Sequence, residues 1–294
     1  MAITLERLRM LHAVSVRGTI TAASAEVGYT ASAVSQQLSA LERELGTALF
    51  ERSNRGVTLT PAGDRLSERA AMILDAVQMA AIEATQASPQ APPMTIRVGA
   101  FPTAISSIVI PAMALLEPLV RLIIVHIEPE QALEALIARR LDAAVVDFYN
   151  SQPLPGRDRL HHVRLLTDPL RLAVRSDRPA PEKLADLART PWVLGGSESR
   201  LGRVTRSILA AEGIAPSVIV ETDDHRVTFD ILSAMDAAAI LPGLALRHAP
   251  AHARPAALNL GRERHIHLVT RNAIAGHPAF RALETALRAA PRTG

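Results

Sequence analysis

The chain contains no cysteine, which excludes disulfides, thiol redox chemistry and thiolate-held metals. Lysine is almost as scarce: of the 32 basic residues only Lys183 is a lysine. Such near-exclusive use of arginine reflects a GC-rich genome as readily as phosphate binding, so it carries little functional weight. Long apolar runs are missing too. A membrane span needs ~18 apolar residues in a row, and even residues 105–116 are broken by Ser106, Ser107 and Pro111. The opening MAITLERLRM spreads charge through a helix start, and no apolar signal-peptide core follows it. A cytoplasmic location with no membrane partner is the expectation.

Catalytic signatures are equally thin. No Gly-x-Ser-x-Gly elbow, phosphate-binding P-loop or dinucleotide fingerprint occurs. The run Gly195, Gly196, Ser197, Glu198, Ser199 comes nearest to a nucleophile motif and has the wrong spacing. His265 and His267 would share one face of a strand but lack a third ligand nearby, whereas His161 and His162 would point to opposite faces. Asp223, Asp224 and His225 read as a helix start rather than a converging acid–base set. No catalytic residue, metal site or cofactor is expected.

What is present fills two domains of ordinary size: 294 residues, 48% apolar and 21% charged, with a formal net charge of +3. Residues 18–60 read as a short helix, a tight turn, a longer helix and a small hairpin. Thr19 or Thr21 can cap the short helix, Gly28 closes it, and Thr30 caps the next. Val34, Leu38, Leu41 and Leu45 make one buried stripe on the longer helix. Its other side carries Ser32, Ser35, Gln36, Ser39 and Arg43. Short hydroxyls and an amide there supply the donors and acceptors needed at base edges, on side chains small enough for a major groove. Ahead of it, residues 4–17 form a helix with Leu5, Leu8, Leu11 and Val14 inward. The hairpin turns at residues 53–56, where Arg52 and Arg55 read either as solvated turn arginines or as contacts to a phosphate backbone. Residues 1–60 hold Arg7, Arg9, Arg17, Arg43, Arg52 and Arg55 against Glu6, Glu26, Glu42, Glu44 and Glu51. So thin a surplus suits a module that must be duplicated to hold DNA.

Thr60 and Pro61 then give a strong helix start. Across residues 61–87 the positions Leu66, Ala70, Ile73 and Val77, continued by Ala80 and Ala84, alternate steps of four and three. That heptad-like seam suits a second copy of the chain; the same face could instead pack on the hairpin or on the following domain. Residues 88–93, rich in proline, read as a hinge. Beyond them, short apolar strands alternate with amphipathic helices. Strands are expected at 95–100, 120–127, 143–147, 163–166, 170–174, 191–194, 218–221, 238–241 and 266–270. Helices are expected at 103–116, 130–139, 200–211, 227–235 and 278–290. The alternation predicts α/β architecture with parallel-type sheets covered on both faces, in two lobes.

The run Leu8, Leu11, Val14, Gly18 to Ala23, Ala33 to Leu38, Leu41, Glu42, Leu45, Gly46, Leu49, Phe50, Arg52, Arg55, Val57, Leu59, Thr60, Ala62 and Gly63 resembles the winged helix-turn-helix of LysR-type transcriptional regulators. The match is dense over about sixty residues. Residues 94–294 are more loosely similar to the periplasmic-binding-protein-like effector domain of that family, through Arg140, Leu141 and Asp142 and through Ile240, Leu241 and Pro242. The resemblance implies an α/β multidomain protein: a winged helix-turn-helix over 1–60, a dimerising linker helix over 61–87, a hinge, and an effector domain with lobe I at 94–166 plus 272–294 and lobe II at 167–271. It implies double-stranded promoter DNA, a small-molecule effector, a homodimer or dimer of dimers, and RNA polymerase as partners. The cysteine switch known in some members is excluded here.

The base-reading candidates are Thr30, Ala31, Ser32, Ser35, Gln36 and Ser39, with Arg52 and Arg55 on the wing. The family commonly has glutamine where this chain has Ala31, so readout must lean on the serines and Gln36. By position after strands, the effector candidates are Phe101, Thr103, Glu128, Pro129 and Phe148 in lobe I and Gly196, Ser197, Ser199, Thr222 and Asp223 in lobe II; Thr103 and Ser197 also read as helix caps. Glu128, Asp147 and Asp223 together allow a cationic or amino group in the ligand. The family often has a glycine-containing turn before Leu241, which residues 233–238 lack.

Overall fold

In the computed structural model, residues 3–53, 56–88, 91–116, 118, 120–149, 155–156, 159–179 and 181–290 are described. Three capped helices start the chain: α1 (Leu5–Arg17), α2 (Ile20–Val27) and α3 (Ala31–Leu45). Thr4, Thr19 and Thr30 each accept from the backbone N–H three residues on, and Gly18, Gly28 and Gly46 end the helices in the left-handed conformation. Met10, Leu11, Ala13, Val14, Ala23, Val34, Leu38 and Leu41 form the core between them. Leu5 and Leu45, expected inside, are 45% and 38% exposed. Each sits at an extreme end of its helix.

The wing follows as β1 (Phe50–Ser53) and β2 (Gly56–Leu59), antiparallel with Phe50 opposite Leu59. Glu42 anchors it by accepting from the N–H groups of Leu49 and Phe50 at 2.8 and 3.1 Å. Helix α4 (Pro61–Gln86) starts as expected, with Thr60 accepting from the Gly63 N–H at 3.1 Å. Gly63 is required there, because a Cβ would lie 2.0 Å from the Leu49 carbonyl oxygen.

Helix α4 packs on its own effector half. Arg139 donates to the Leu74 carbonyl at 3.0 Å, to Gln78 at 2.7 Å and to Asp75. Arg271 reaches the same Asp75 oxygen at 2.9 Å, and His12 Nε2 lies 3.0 Å from the Ile137 carbonyl. The heptad-like seam therefore divides. Ala70 is fully buried within the chain and Leu66 packs on the helix-turn-helix core, whereas Ile73 and Val77 remain 41% and 44% exposed beside Met72. A heptad pattern names a buried face without naming what buries it, which is why Ala70 was misassigned to a second chain.

The remaining chain comprises β3 (Met94–Ala100), α5 (Pro102–Ala104), a π-helical turn (Ile105–Val109), α6 (Ile110–Met113), β4 (Val120–His126), α7 (Pro129–Ile137), β5 (Ala143–Tyr149), β6 (Leu160–Arg175), a 3-10 turn (Leu184–Leu187), β7 (Pro191–Leu194), α8 (Arg200–Ala211), β8 (Ser217–Glu221), α9 (His225–Ala234), β9 (Ala238–Pro242), α10 (Gly243–Leu246), β10 (Ala253–Pro255), β11 (Glu263–Arg271) and α11 (Pro278–Ala289). The strands line up as β4-β3-β5-β11-β6-β9-β7-β8, with β10 also on β6. Strand β3 is parallel to β4 and β5, and β7 is parallel to β8 and β9. Strand β11 runs antiparallel to β5 and β6. Apolar clusters cover both faces in each lobe.

The expected strands at 163–166 and 170–174 are one 16-residue strand, β6. Its first part pairs with β11 and its last with β9, so it threads both lobes. Pro169 looked like a break in sequence; it sits where the strand changes partners, and a missing N–H is tolerated there. Strand β11, expected in lobe II within 167–271, pairs with β5 in the sheet of lobe I. The chain returns to lobe I with β11, not after it. Between α9 and β9 no glycine is needed, because Met235 is extended. Among the described residues Arg139 is the one non-glycine with positive φ, at +61°.

Candidate functional site

Two surfaces carry the candidate residues. On α3, Ser32 and Gln36 are exposed, and no partner holds the Gln36 amide among the described residues. Thr30 is committed to the cap, with its Oγ1 3.1 Å from that of Ser32. Ala31 is half-buried. Ser35 and Ser39 are also half-buried, turned with Leu38 toward a small recess against Phe50 and Val57 of the wing. Gln37, which sequence reasoning passed over, is engaged at 2.9 Å by Arg7, which also pairs with Glu44. Arg52 stands in β1 opposite Val57; its side chain, and Arg55 altogether, lie outside the described residues.

The second surface is a cleft of about 1240 Å³ between the lobes. Phe101, Thr103, Glu128, Pro129, Ser199 and Asp223 line it as expected. Phe148 does not: Asp147 and Tyr149 face the cleft, so strand alternation turns Phe148 away. Its ring packs on His267 and His162 with centroids 5.4 and 6.0 Å apart. Gly196, Ser197 and Thr222 are also absent from the lining. Thr222 instead accepts from the Asp224 N–H at 3.1 Å. Gly195 has a steric role, since a Cβ there would meet the Asp223 carboxylate at 2.7 Å. Ser199 lines the cleft while capping α8, accepting from the Gly202 N–H at 2.9 Å.

Arg264 forms the floor, 4% exposed. Its guanidinium donates to Asp168 at 2.9 Å, Asp147 at 3.0 Å and the Thr103 hydroxyl at 3.0 Å, and lies 5.0 Å from the centre of the Phe101 ring. Burial works against its charge, but Tyr149, Asp147 and Asp168 together hold its pKa above the ordinary value. The signal was in the sequence: Arg264 shares strand parity with buried Ile266 and Leu268, and it was missed because the strand was started at 266. Arg200, first in α8, crosses from lobe II to donate to the Asp147 carbonyl at 2.6 Å and to Glu130 of lobe I. Burial sets the direction for two other cleft groups. His225 is pushed down to about 4, by burial first and by Arg264 second. The Glu128 carboxyl is raised, by burial first and then by Asp147, Glu130 and Asp223.

Ser107 Oγ lies 3.1 Å from His248 Nε2, the nearest approach to a nucleophile–base pair. Among the described residues no carboxylate orients that imidazole. Nor do three His, Asp or Glu converge there as a metal shell.

Residues 89–292 match the family described as LysR substrate binding domain, and residues 5–64 match the bacterial regulatory helix-turn-helix proteins of the lysR family. The HTH-type transcriptional regulator YofA of Bacillus velezensis is 29% identical over 246 residues, 82% of this chain and 81% of its own. The full-length OxyR structure from Pseudomonas aeruginosa superposes with a TM-score of 0.64 at 21% identity, covering 98% of each chain. Full-length CbnR bound to its target DNA gives 0.55 at 21% identity, covering 98% of this chain and 100% of that one.

Proposed function

Because the chain belongs to the LysR family of helix-turn-helix transcriptional regulators, we propose that its α3 reads a specific operator under the control of a small molecule held in the interlobe cleft. The observation that carries this reading is the exposed Gln36 amide beside Ser32, on a helix fixed from behind by its core and from the side by the wing. A free amide on a groove-sized helix can bond adenine bidentately, and serine hydroxyls serve either base type. Thr30 and Ala31 approach the backbone and a thymine methyl; Ser35 and Ser39 read from the wing side. Arg52 and Arg55 neutralise phosphate. Phe101, Thr103, Glu128, Pro129, Ser199 and Asp223 contact the effector.

The thin basic surplus of one copy calls for at least a homodimer, and Met72, Ile73 and Val77 offer the uncovered apolar stripe on α4 that a second copy would bury. Pairing of dimers, contact with RNA polymerase and residence in the cytoplasm complete the proposal; no helix among the described residues is long and apolar enough to cross a membrane. The cleft residues act in binding, without an enzymatic step.

The test is a gel shift with DNA from upstream of the protein's own gene, at several salt concentrations. The reading expects a shift that weakens steeply with salt and is lost in Ser35→Arg. Intact oligomers with no shift at any salt would instead indicate a small-molecule-binding protein whose N-terminal helices serve only assembly.

A further inference from the structure

The charge balance of the cleft goes further than its shape. Its lining holds the carboxylates of Glu128, Glu130, Asp147, Glu198, Asp223, Asp224 and Asp230 against the guanidinium groups of Arg200, Arg226 and Arg264. Two of those cations are already engaged. Arg264 is saturated by Asp147, Asp168 and Thr103, and Arg200 by Glu130 and the Asp147 carbonyl. Arg226 is exposed, on the same face of α9 as Asp230 one turn on. Two of the helix starts that would attract an anion are likewise occupied from within. Asp224 accepts from the first turn of α9 at 2.8 Å and Ser199 from that of α8, while Glu128 and Glu130 flank the start of α7.

Glu128 of lobe I and Asp223 of lobe II make no side-chain hydrogen bond or ion pair among the described residues. They line the same cleft from its two lobes, so their charges face a shared space. An anion entering here would meet uncompensated negative charge. A cation would relieve it and draw the lobes together, and differential binding of that kind is what shifts a conformational equilibrium. The carboxylates are spread across a wide cleft and do not form a metal shell. Phe101, Tyr149 and Phe229 meanwhile supply apolar wall.

On the reading of the cleft as the effector site, we propose that the effector is an organic cation, an amine or guanidine with an apolar body, whose charged end lies between Glu128 and Asp223.

Isothermal titration of the full-length protein with putrescine, agmatine and phenethylamine, and with succinate and benzoate as anionic counterparts, tests this. Saturable binding of at least one cation, weakened tenfold or more in Glu128→Gln and in Asp223→Asn with unchanged circular dichroism, is expected. Both substitutions lie on exposed side chains, so folding should survive them. If an anion binds instead and Ser106→Trp, which puts a bulky ring into the cleft wall, abolishes that binding, the charge class is overturned and the cleft keeps its role. Cation binding indifferent to all three substitutions overturns the charge class and the cleft together. Failure of every cation to bind overturns the charge class.

Discussion

Two buried arginines stand near opposite ends of β11, and they are held very differently. Arg264 meets two carboxylates and a hydroxyl, so every guanidinium nitrogen is engaged. Arg271 bonds Asp75 of α4 and the carbonyls of Leu136 and Leu141. Its Nη2 is buried without a hydrogen bond and lies 3.7 Å from Asp142. The first centre locks the junction of the lobes; the second latches the effector half onto the linker helix. Seven residues apart on one strand, they are separated by roughly 23 Å at ~3.3 Å per residue. The network at the cleft is fully satisfied and the one at the linker is not, so the lobe junction is held more tightly than the contact with the linker helix.

Removing each arginine breaks the comparison most directly. Arg264→Ala leaves Asp147 and Asp168 buried with their main counter-charge gone, and should destabilise the chain by ~3–5 kcal/mol in urea unfolding. Arg271→Ala leaves Asp75 still paired with Arg139, and should cost ~1–3 kcal/mol. Equal losses would refute the distinction between lock and latch.

A smaller effect sharpens the latch. Arg139 holds a left-handed backbone that glycine adopts freely, and its guanidinium contacts to α4 offset that strain. Arg139→Ala loses the contacts and keeps the strain. Arg139→Gly loses both, so it should be the milder variant by about 1 kcal/mol in thermal unfolding.

The histidines add a pH dependence. His225 and His267 titrate at about 4 when folded, chiefly because burial disfavours the imidazolium, and His12 is lowered for the same reason. Near the unfolded value of about 6.5 the unfolded chain takes up protons that the folded chain refuses. Stability is therefore full above about pH 6.5 and falls as the pH drops toward 4. Urea midpoints at pH 7 and pH 5 check this, and His267→Gln should flatten the slope.

What could be read in the sequence divides along the same line as the molecule. Residues 18–63 were legible because capping threonines, closing glycines and the 3.6-residue stripe are local signals, and they placed α2, α3 and α4 within a residue or so. The cleft was half legible. Thr103, Glu128 and Asp223 follow from their position after strands, but Phe148 was claimed against the alternation that Asp147 and Tyr149 impose. Arg264 escaped notice because the strand was started at 266, and Arg271 because its partner Asp75 lies 196 residues away. Long-range ion pairs leave no periodic trace. The seam on α4 divides for a related reason: Ala70 packs within the chain, while Ile73 and Val77 stay exposed.

The most direct test of the account is fluorescence anisotropy of the full-length protein on its own upstream DNA and on an unrelated duplex of equal length. Wild type should prefer its own site, and Gln36→Ala should lose ~1–3 kcal/mol there while binding the unrelated duplex as before. Equal affinity of wild type and variant for the upstream site would contradict the assignment of α3 as the reading helix.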